Sequence, residues 1–391
     1  MKSNLSTAPL IHLLIGIMMN TFSPSSAAAT EAFEVTREVL LESNRAPQVR
    51  ALTQTKEGGY VIAGSDQHIP WATRTDAEGH VQWRHVLPMK EWTPGGTDAH
   101  YESAAAMTDD STLLCGYKGE GEELHPPILG LLTHIDKAGK MLSHRVLYPQ
   151  GDKSFALNYL RQCVPWDDGF AVVGDASRWV SGAMQRFLWL LALDANGDVK
   201  WEKLIPNITP SIRAQAMVTP KQDLLLLAMN QIVLLDTNGT IKSQKTVGQP
   251  ADQFVLVRPV VPDSVARVFP AFNDPASTLQ NFGESLEDLG QVRGPAGGIS
   301  SNRAYLLPDR SLVLFGDQRE NSTPTASMVK LSADLATRQT FLHQPLWIAG
   351  QINDALPTGK PSEFVTIRLV HPLPSWNETR LGLLMAFVRV K

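Results

Sequence analysis

Cysteine is nearly absent: Cys115 and Cys163 are the two in a chain of 391 residues. That excludes a disulfide-built scaffold and any zinc site assembled from paired C-x-x-C motifs. A basic excess is also missing. The net charge is −4 with both signs interspersed and no charged tail, which argues against a nucleic-acid binder. After the N-terminal segment no apolar run is long enough to cross a bilayer, so stable membrane insertion is not expected. H-E-x-x-H, Walker A, G-x-S-x-G and the EF-hand loop are all lacking, so no local motif assigns catalysis. The ten histidines are scattered, and the nearest pair beyond the N-terminal segment, His80 and His85, points to opposite faces of a strand.

What is present begins with an export signal. Lys2 precedes a short apolar core, Leu10 to Met19, and Ser23 to Ala29 ends in small residues. This order predicts a secretory peptide cleaved near Ala29, leaving a single domain over 30–391 in the periplasm or outside the cell. No cysteine follows the apolar core, so a lipid anchor is not expected there. In an oxidising compartment Cys115 and Cys163 can form a disulfide; the alternative is two buried free thiols.

Next comes a repeated phrase. Trp71 to Trp83 reads WATRTDAEGHVQW and Trp189 to Trp201 reads WLLALDANGDVKW, both W-x4-D-A-x-G-x-V-x-W. Asp can bond its own backbone ahead and Gly accepts positive φ, so D-A-x-G is a tight turn between two strands. GGYVIAGS and DGFAVVGD precede the two copies as further strands. Weaker copies keep the turn at Asp136 and Gly139, at Asp236 and Gly239, and at Asp334 without its Gly. The last copy stops after its third strand, and Glu31 to Leu41 supplies an extended segment that can complete it. These spacings predict an all-β, seven-bladed β-propeller of four-stranded antiparallel blades, closed by pairing of the N-terminal strand with the C-terminal blade. Six or eight blades are the alternatives. Trp83 and Trp201 are expected to fill the wedge between neighbouring blades.

The phrase resembles the repeat of quinoprotein-like (PQQ-like, WD40-like) propellers, and among them exported bacterial proteins with no assigned function. The resemblance implies the fold. It does not carry the dehydrogenase chemistry, whose enzymes have two adjacent cysteines near the cofactor, whereas Cys115 and Cys163 are far apart in the chain. No calcium-binding set of acidic residues and Asn stands out either. PQQ, other cofactors and metals are therefore not expected.

Near the start of the first strand of five units stands an arginine: Arg50, Arg161, Arg213, Arg258 and Arg303. In a propeller that strand lines the central channel, and residues at one register point the same way. Convergent guanidinium groups would make an anion site; the alternative is that each ties its blade to the next. Loops between second and third strands add Arg178 and Trp179 (in 175–186) and Trp376 and Arg380 (in 371–380), with Trp92 on a blade connection. Trp and Arg on loops suit an interface, or each Trp tucks against its own blade. The expected function is non-catalytic recognition of a protein partner, an acidic one to match the arginines, by a monomer acting as a periplasmic immunity or inhibitor protein. A metal-dependent, lactonase-like or lyase-like enzyme and a carbohydrate-binding propeller are the alternatives.

Overall fold

The computed structural model describes residues 32–41, 47–66, 68–88, 98–120, 127–206, 208, 215–228, 230–248, 254–263, 265–270, 278–293, 300–320, 323–342, 352–360, 362–370 and 382–391. Ala32–Lys391 pack as one unit. The segment expected to be an export signal lies outside the described residues. Among those described, the regular structure is β apart from one 3-10 turn, Pro149–Gly151, and no helix is long and apolar enough to cross a membrane.

The strands follow the turn signals. After β1 (Phe33–Leu41) comes a first meander, β2 (Pro47–Gln54), β3 (Tyr60–Asp66), β4 (Ile69–Thr75) and β5 (Val81–Val86). A second holds β6 (Ala99–Ala106), β7 (Thr112–Gly119), β8 (Ile128–Ile135) and β9 (Met141–Leu147). The third is β10 (Phe155–Trp166), β11 (Gly169–Val180), β12 (Ala183–Leu193) and β13 (Val199–Pro206). The fourth is β14 (Gln215–Val218), β15 (Leu224–Ala228), β16 (Gln231–Leu235) and β17 (Ile241–Thr246). Then follow β18 (Phe254–Pro259), β19 (Ala266–Pro270), β20 (Thr278–Phe282) and β21 (Asp288–Arg293), and next β22 (Ser300–Leu306), β23 (Leu312–Glu320), β24 (Thr323–Leu331) and β25 (Arg338–Leu342). The last meander, β26 (Ile352–Pro357), β27 (Glu363–Val370) and β28 (Gly382–Val390), takes β1 as its fourth strand, with Phe33 opposite Val390 and Leu41 opposite Leu383. Parallel pairing of β10 with β8 and of β18 with β22 joins two pairs of neighbouring sheets.

Second and third strands are covered on both faces, so they read as unbroken apolar runs such as LLLLA in β15, while fourth strands such as β17 are largely exposed. Apolar clusters lie between successive meanders. One holds Val61 and Ala72 of the first with Tyr101 and Leu131 of the second. Another holds Leu52 and Trp71 of the first with Val365 and Met385 of the last.

The repeated phrase has a long-range reason. In four turns the Asp Oδ1 accepts two backbone N–H groups, as Asp194 does from Asn196 and Asp198 at 2.8 Å each. The turn Gly adopts positive φ, +88° at Gly139 and +69° at Gly239. The Trp of one meander then lies on the turn Gly of the next. Trp83 donates to Lys137 O (3.0 Å) and covers Gly139; Trp201 donates to Thr237 O (3.3 Å) and covers Gly239. A Cβ on Gly239 would stand 2.5 Å from the Trp201 ring.

Gly182 has φ +83° with nothing near its missing Cβ, so it isolates the backbone part of this requirement. Gly182→Ala should cost about 1–2 kcal/mol from φ alone, and Gly239→Ala about 1–3 kcal/mol more from overlap with Trp201. In a Trp201→Ala background the two glycine substitutions should cost the same, which urea denaturation will show.

A second expectation concerns pH. His134 is buried with Nε2 2.8 Å from Ser111 Oγ, and burial pulls its pKa below the ordinary 6.5 despite nearby acceptors. The unfolded chain then binds more protons in the window below about 6.5, so this contribution is intact above that pH and lost as pH falls. The fall in Tm between about pH 7 and 5 should be shallower in His134→Asn.

Candidate functional site

First strands carry a shared irregularity. The pairing register shifts between Val49 and Ala51, Tyr101 and Ser103, Leu160 and Gln162, Ser301 and Arg303, and Ile352 and Asp354. The residue at each bulge is Arg50, Glu102, Arg161, Asn302 and Asn353. A bulge re-aims its side chain. Arg50 and Arg161 therefore share a position with Glu102, and Arg303 stands one residue later, beside Ala51, Ser103, Gln162 and Asp354. The single register expected for the arginines is not observed, because each bulge adds one residue that alternation alone does not mark.

The position after the bulge binds sheets together. Cys163 N donates to Ser103 Oγ (3.2 Å), and Ala216 N donates to Gln162 Oε1 (2.6 Å) while Gln162 Nε2 donates to Ala216 O (3.3 Å). Leu256 N also donates to Gln215 Oε1 (3.0 Å), from a first strand that shows no register shift over its described residues. Arg303 grips Asp354 through Nε (2.7 Å) and Nη2 (3.0 Å), and Asp354 Oδ2 accepts Leu52 N (3.0 Å). Burial works against the Arg303 charge, but Asp354 more than offsets it and raises the Arg303 pKa.

Between these strands lies a cavity of about 400 Å³ lined by Arg50, Glu102, Arg258, Arg303, Tyr305 and Asp354, among others. Three of the five expected arginines thus meet at one place. Arg161 is not in the lining: it bonds Asp175 (2.8 Å), approaches Glu102 (4.0 Å) and lies 4.1 Å over the Tyr159 ring. Arg213 lies outside the described residues. Arg50 is half exposed, 3.2 Å from Gln48 Oε1 and 3.9 Å from Glu102. Arg258 differs from the rest. Its Nε and Nη2 are buried with no hydrogen-bond partner among the described residues. Burial, then the charge of Arg303, pull its pKa below the usual guanidinium value, against weaker support from Tyr305 and Asp354.

The segment 175–186, expected as a loop, is the outer part of a long β11–β12 hairpin. Ser181 (φ 50°) and Gly182 (φ 83°) form a two-residue turn with both φ positive, the geometry that matches strand twist. Trp179 stands exposed (61 %) near its tip. Arg178 lies over Phe155 and Phe187 and 3.7 Å from Asp152. Trp92, Trp376 and Arg380 lie outside the described residues. Cys115 and Cys163 are free thiols buried in one apolar cluster, so the disulfide alternative is not what the structure contains. Burial, and then the neighbouring Cys163, push the Cys115 thiol well above its usual pKa. Sequence reading missed His68, Asp98 and His100, which the β3–β4 turn and the start of β6 bring together. With His68 and Asp98 30 positions apart in the chain, no spacing motif marks them.

Comparisons with known proteins follow this geometry. No family model matches the chain, and no curated protein matches it. Solved structures do. The Pan2 WD40 domain of Neurospora crassa aligns with TM-score 0.55 at 12% identity, over 90% of this chain and 95% of that one. A protein of unknown function from Dyadobacter fermentans aligns with TM-score 0.52 at 12% identity, over 92% and 100%. The WD40 domain of SCAP from fission yeast aligns with TM-score 0.50 at 8% identity, over 90% and 98%. The fold is propeller-like. At these identities the likeness concerns the fold alone.

Asp354 is 2 % exposed and serves both Arg303 and the Leu52 amide. Asp354→Ala removes the bidentate carboxylate partner of a partly buried guanidinium and frees the Leu52 amide, and should cost about 3–5 kcal/mol. Replacing Arg303 with Met in the same background should recover part of that loss in urea denaturation.

Proposed function

We propose that the chain is an exported, seven-bladed propeller that binds an acidic protein partner at the mouth of its central channel, without catalysis. The blade count is supported by the four-strand meanders, with β1 completing the last, and by the apolar clusters between neighbours, including the one joining first and last. Export is supported by the leader-like order of Lys2, the apolar core and Ala29. A periplasmic immunity or inhibitor protein is the concrete form of this reading.

One observation carries the binding reading: the unpartnered face of Arg258 in the cavity wall. A guanidinium stays charged at any working pH, and a buried charge without a partner costs several kcal/mol. The wall carries Arg50, Arg258 and Arg303 against Glu102 and Asp354. Asp354 is held by Arg303 and a backbone amide, and Glu102 stands between Arg50 and Arg161. A carboxylate brought by a partner supplies what Arg258 lacks, as a charge-assisted and bidentate pair. Trp179, exposed on its hairpin, offers an apolar anchor.

The test offers a native-host extract to the immobilised chain and to a variant with Arg50→Glu and Arg258→Glu. One stoichiometric acidic protein, held by the first bait and lost from the second, is expected. Equal capture by both baits, or none by either, overturns the reading. Arg258→Met should also lose the partner while leaving stability unchanged or raised by about 1 kcal/mol, because it removes a partly buried guanidinium whose Nε and Nη2 have no hydrogen-bond partner among the described residues.

A further inference from the structure

The turn between β3 and β4 and the start of β6 lie against each other, with Ala99 N donating to His68 O (3.2 Å), while Gly119 N at the end of β7 donates to Asp98 O (2.7 Å) and holds that start in place. This brings three donor side chains to one point. His68 Nδ1 is 2.8 Å from Asp98 Oδ1, and His100 Nε2 contacts the same oxygen. One ligand atom from each residue lies within 4.8 Å of the others. His68 sits at φ 71°, an uncommon conformation for a residue with a side chain, and the turn holds it there.

The second nitrogen of His100 is also used. Nδ1 is 2.5 Å from Ser65 Oγ, and both residues are buried. Ser, His and Asp in a row suggest a nucleophilic triad, but Ser65 is 1 % exposed, so its hydroxyl cannot meet a substrate. The other function of such a hydroxyl is to orient an imidazole whose opposite nitrogen binds a metal. Ser Oγ donates or accepts, so it can hold the ring in the tautomer that frees Nε2.

We propose that His68, Asp98 and His100 form a binding site for a divalent transition-metal ion of the zinc class, with Ser65 orienting His100. Two imidazoles and one carboxylate suit zinc, cobalt or nickel, whereas calcium and magnesium prefer oxygen alone. The site is closed on the His100 side and open on the other, because the side chains of His68 and Asp98 are 60% and 40% exposed and that of His100 is 5% exposed. Three protein ligands leave a coordination position facing solvent for water or a ligand oxygen. This assignment does not rest on the acidic-partner reading.

The test is calorimetric titration of the EDTA-stripped full chain with Zn²⁺, repeated with Co²⁺ to follow its visible d–d absorption. One ion per chain is expected. His68→Ala, chosen because His68 is exposed, should weaken binding by about 100-fold or more with an unchanged melting curve, and Ser65→Ala by about 10-fold. His80→Ala, at an exposed histidine beside Asp76, should bind as the parent chain does. Absence of binding by the parent chain, or parent-like binding by His68→Ala, overturns the assignment.

Discussion

The bond from one first strand to the backbone of the next is the constraint on which the rest of the structure depends. A four-stranded sheet ends in a strand whose outer N–H and C=O groups lack a partner, and burying them unpaired is costly. Among the described residues, direct strand pairing solves this where β8 meets β10 and where β18 meets β22. Elsewhere side chains do it: Gln162 serves Ala216, Gln215 serves Leu256, and Asp354 serves Leu52. Before Gln162 and Asp354 a bulge turns the side chain toward its neighbour. A position committed in this way is not free for ligand binding, and Arg303 with Asp354 belongs to it.

At the other end of each sheet the constraint is a ring against a turn. Gly239 must be glycine for its φ, and again because Trp201 lies on it. Local and distant requirements coincide on one residue, which is why Trp and D-A-x-G recur together. Where the Trp is missing, another contact replaces it. Arg145 of the second meander reaches Gly197 O and Asp198, and Val39 with Met385 of the last meander packs on Gly79. The phrase therefore degrades without loss of the interface, since an aliphatic pair or a charged stem covers the same turn.

These two devices explain how much could be read in advance. The turns, the strand order and the pairing of β1 with β28 follow from Asp and Gly spacing and from alternation, both local signals. The register of the first strands does not follow, because Asn302 and Asn353 occupy bulges that no residue type announces. Nor does the β11–β12 arm. RWVSGAMQ reads as a loop until Ser181 and Gly182 are seen to take the two positive φ values of a tight hairpin. His68 and His100 belong to different meanders, and only the packing of one sheet edge on the next makes them neighbours.

The two proposed sites are separate in chemistry yet contiguous in packing. His100 lies against Tyr117 (4.9 Å between rings), Tyr117 against Tyr159 (4.8 Å), and Tyr159 under Arg161 (4.1 Å), which approaches Glu102 in the cavity wall. Burial raises the pKa of both tyrosines, so the chain of rings stays neutral and carries no charge from one site to the other. What it provides is rigidity: His100 is fixed by Ser65 on one nitrogen and by an aromatic face on its side, and Arg161 is fixed by Asp175 and Tyr159. Contiguity of this kind is a mechanical support; coupling between the sites would further require an element with two arrangements that both sites bias. An ion at His68, Asp98 and His100 and a carboxylate at Arg258 would thus be held by one preorganised wall, each bound on its own terms.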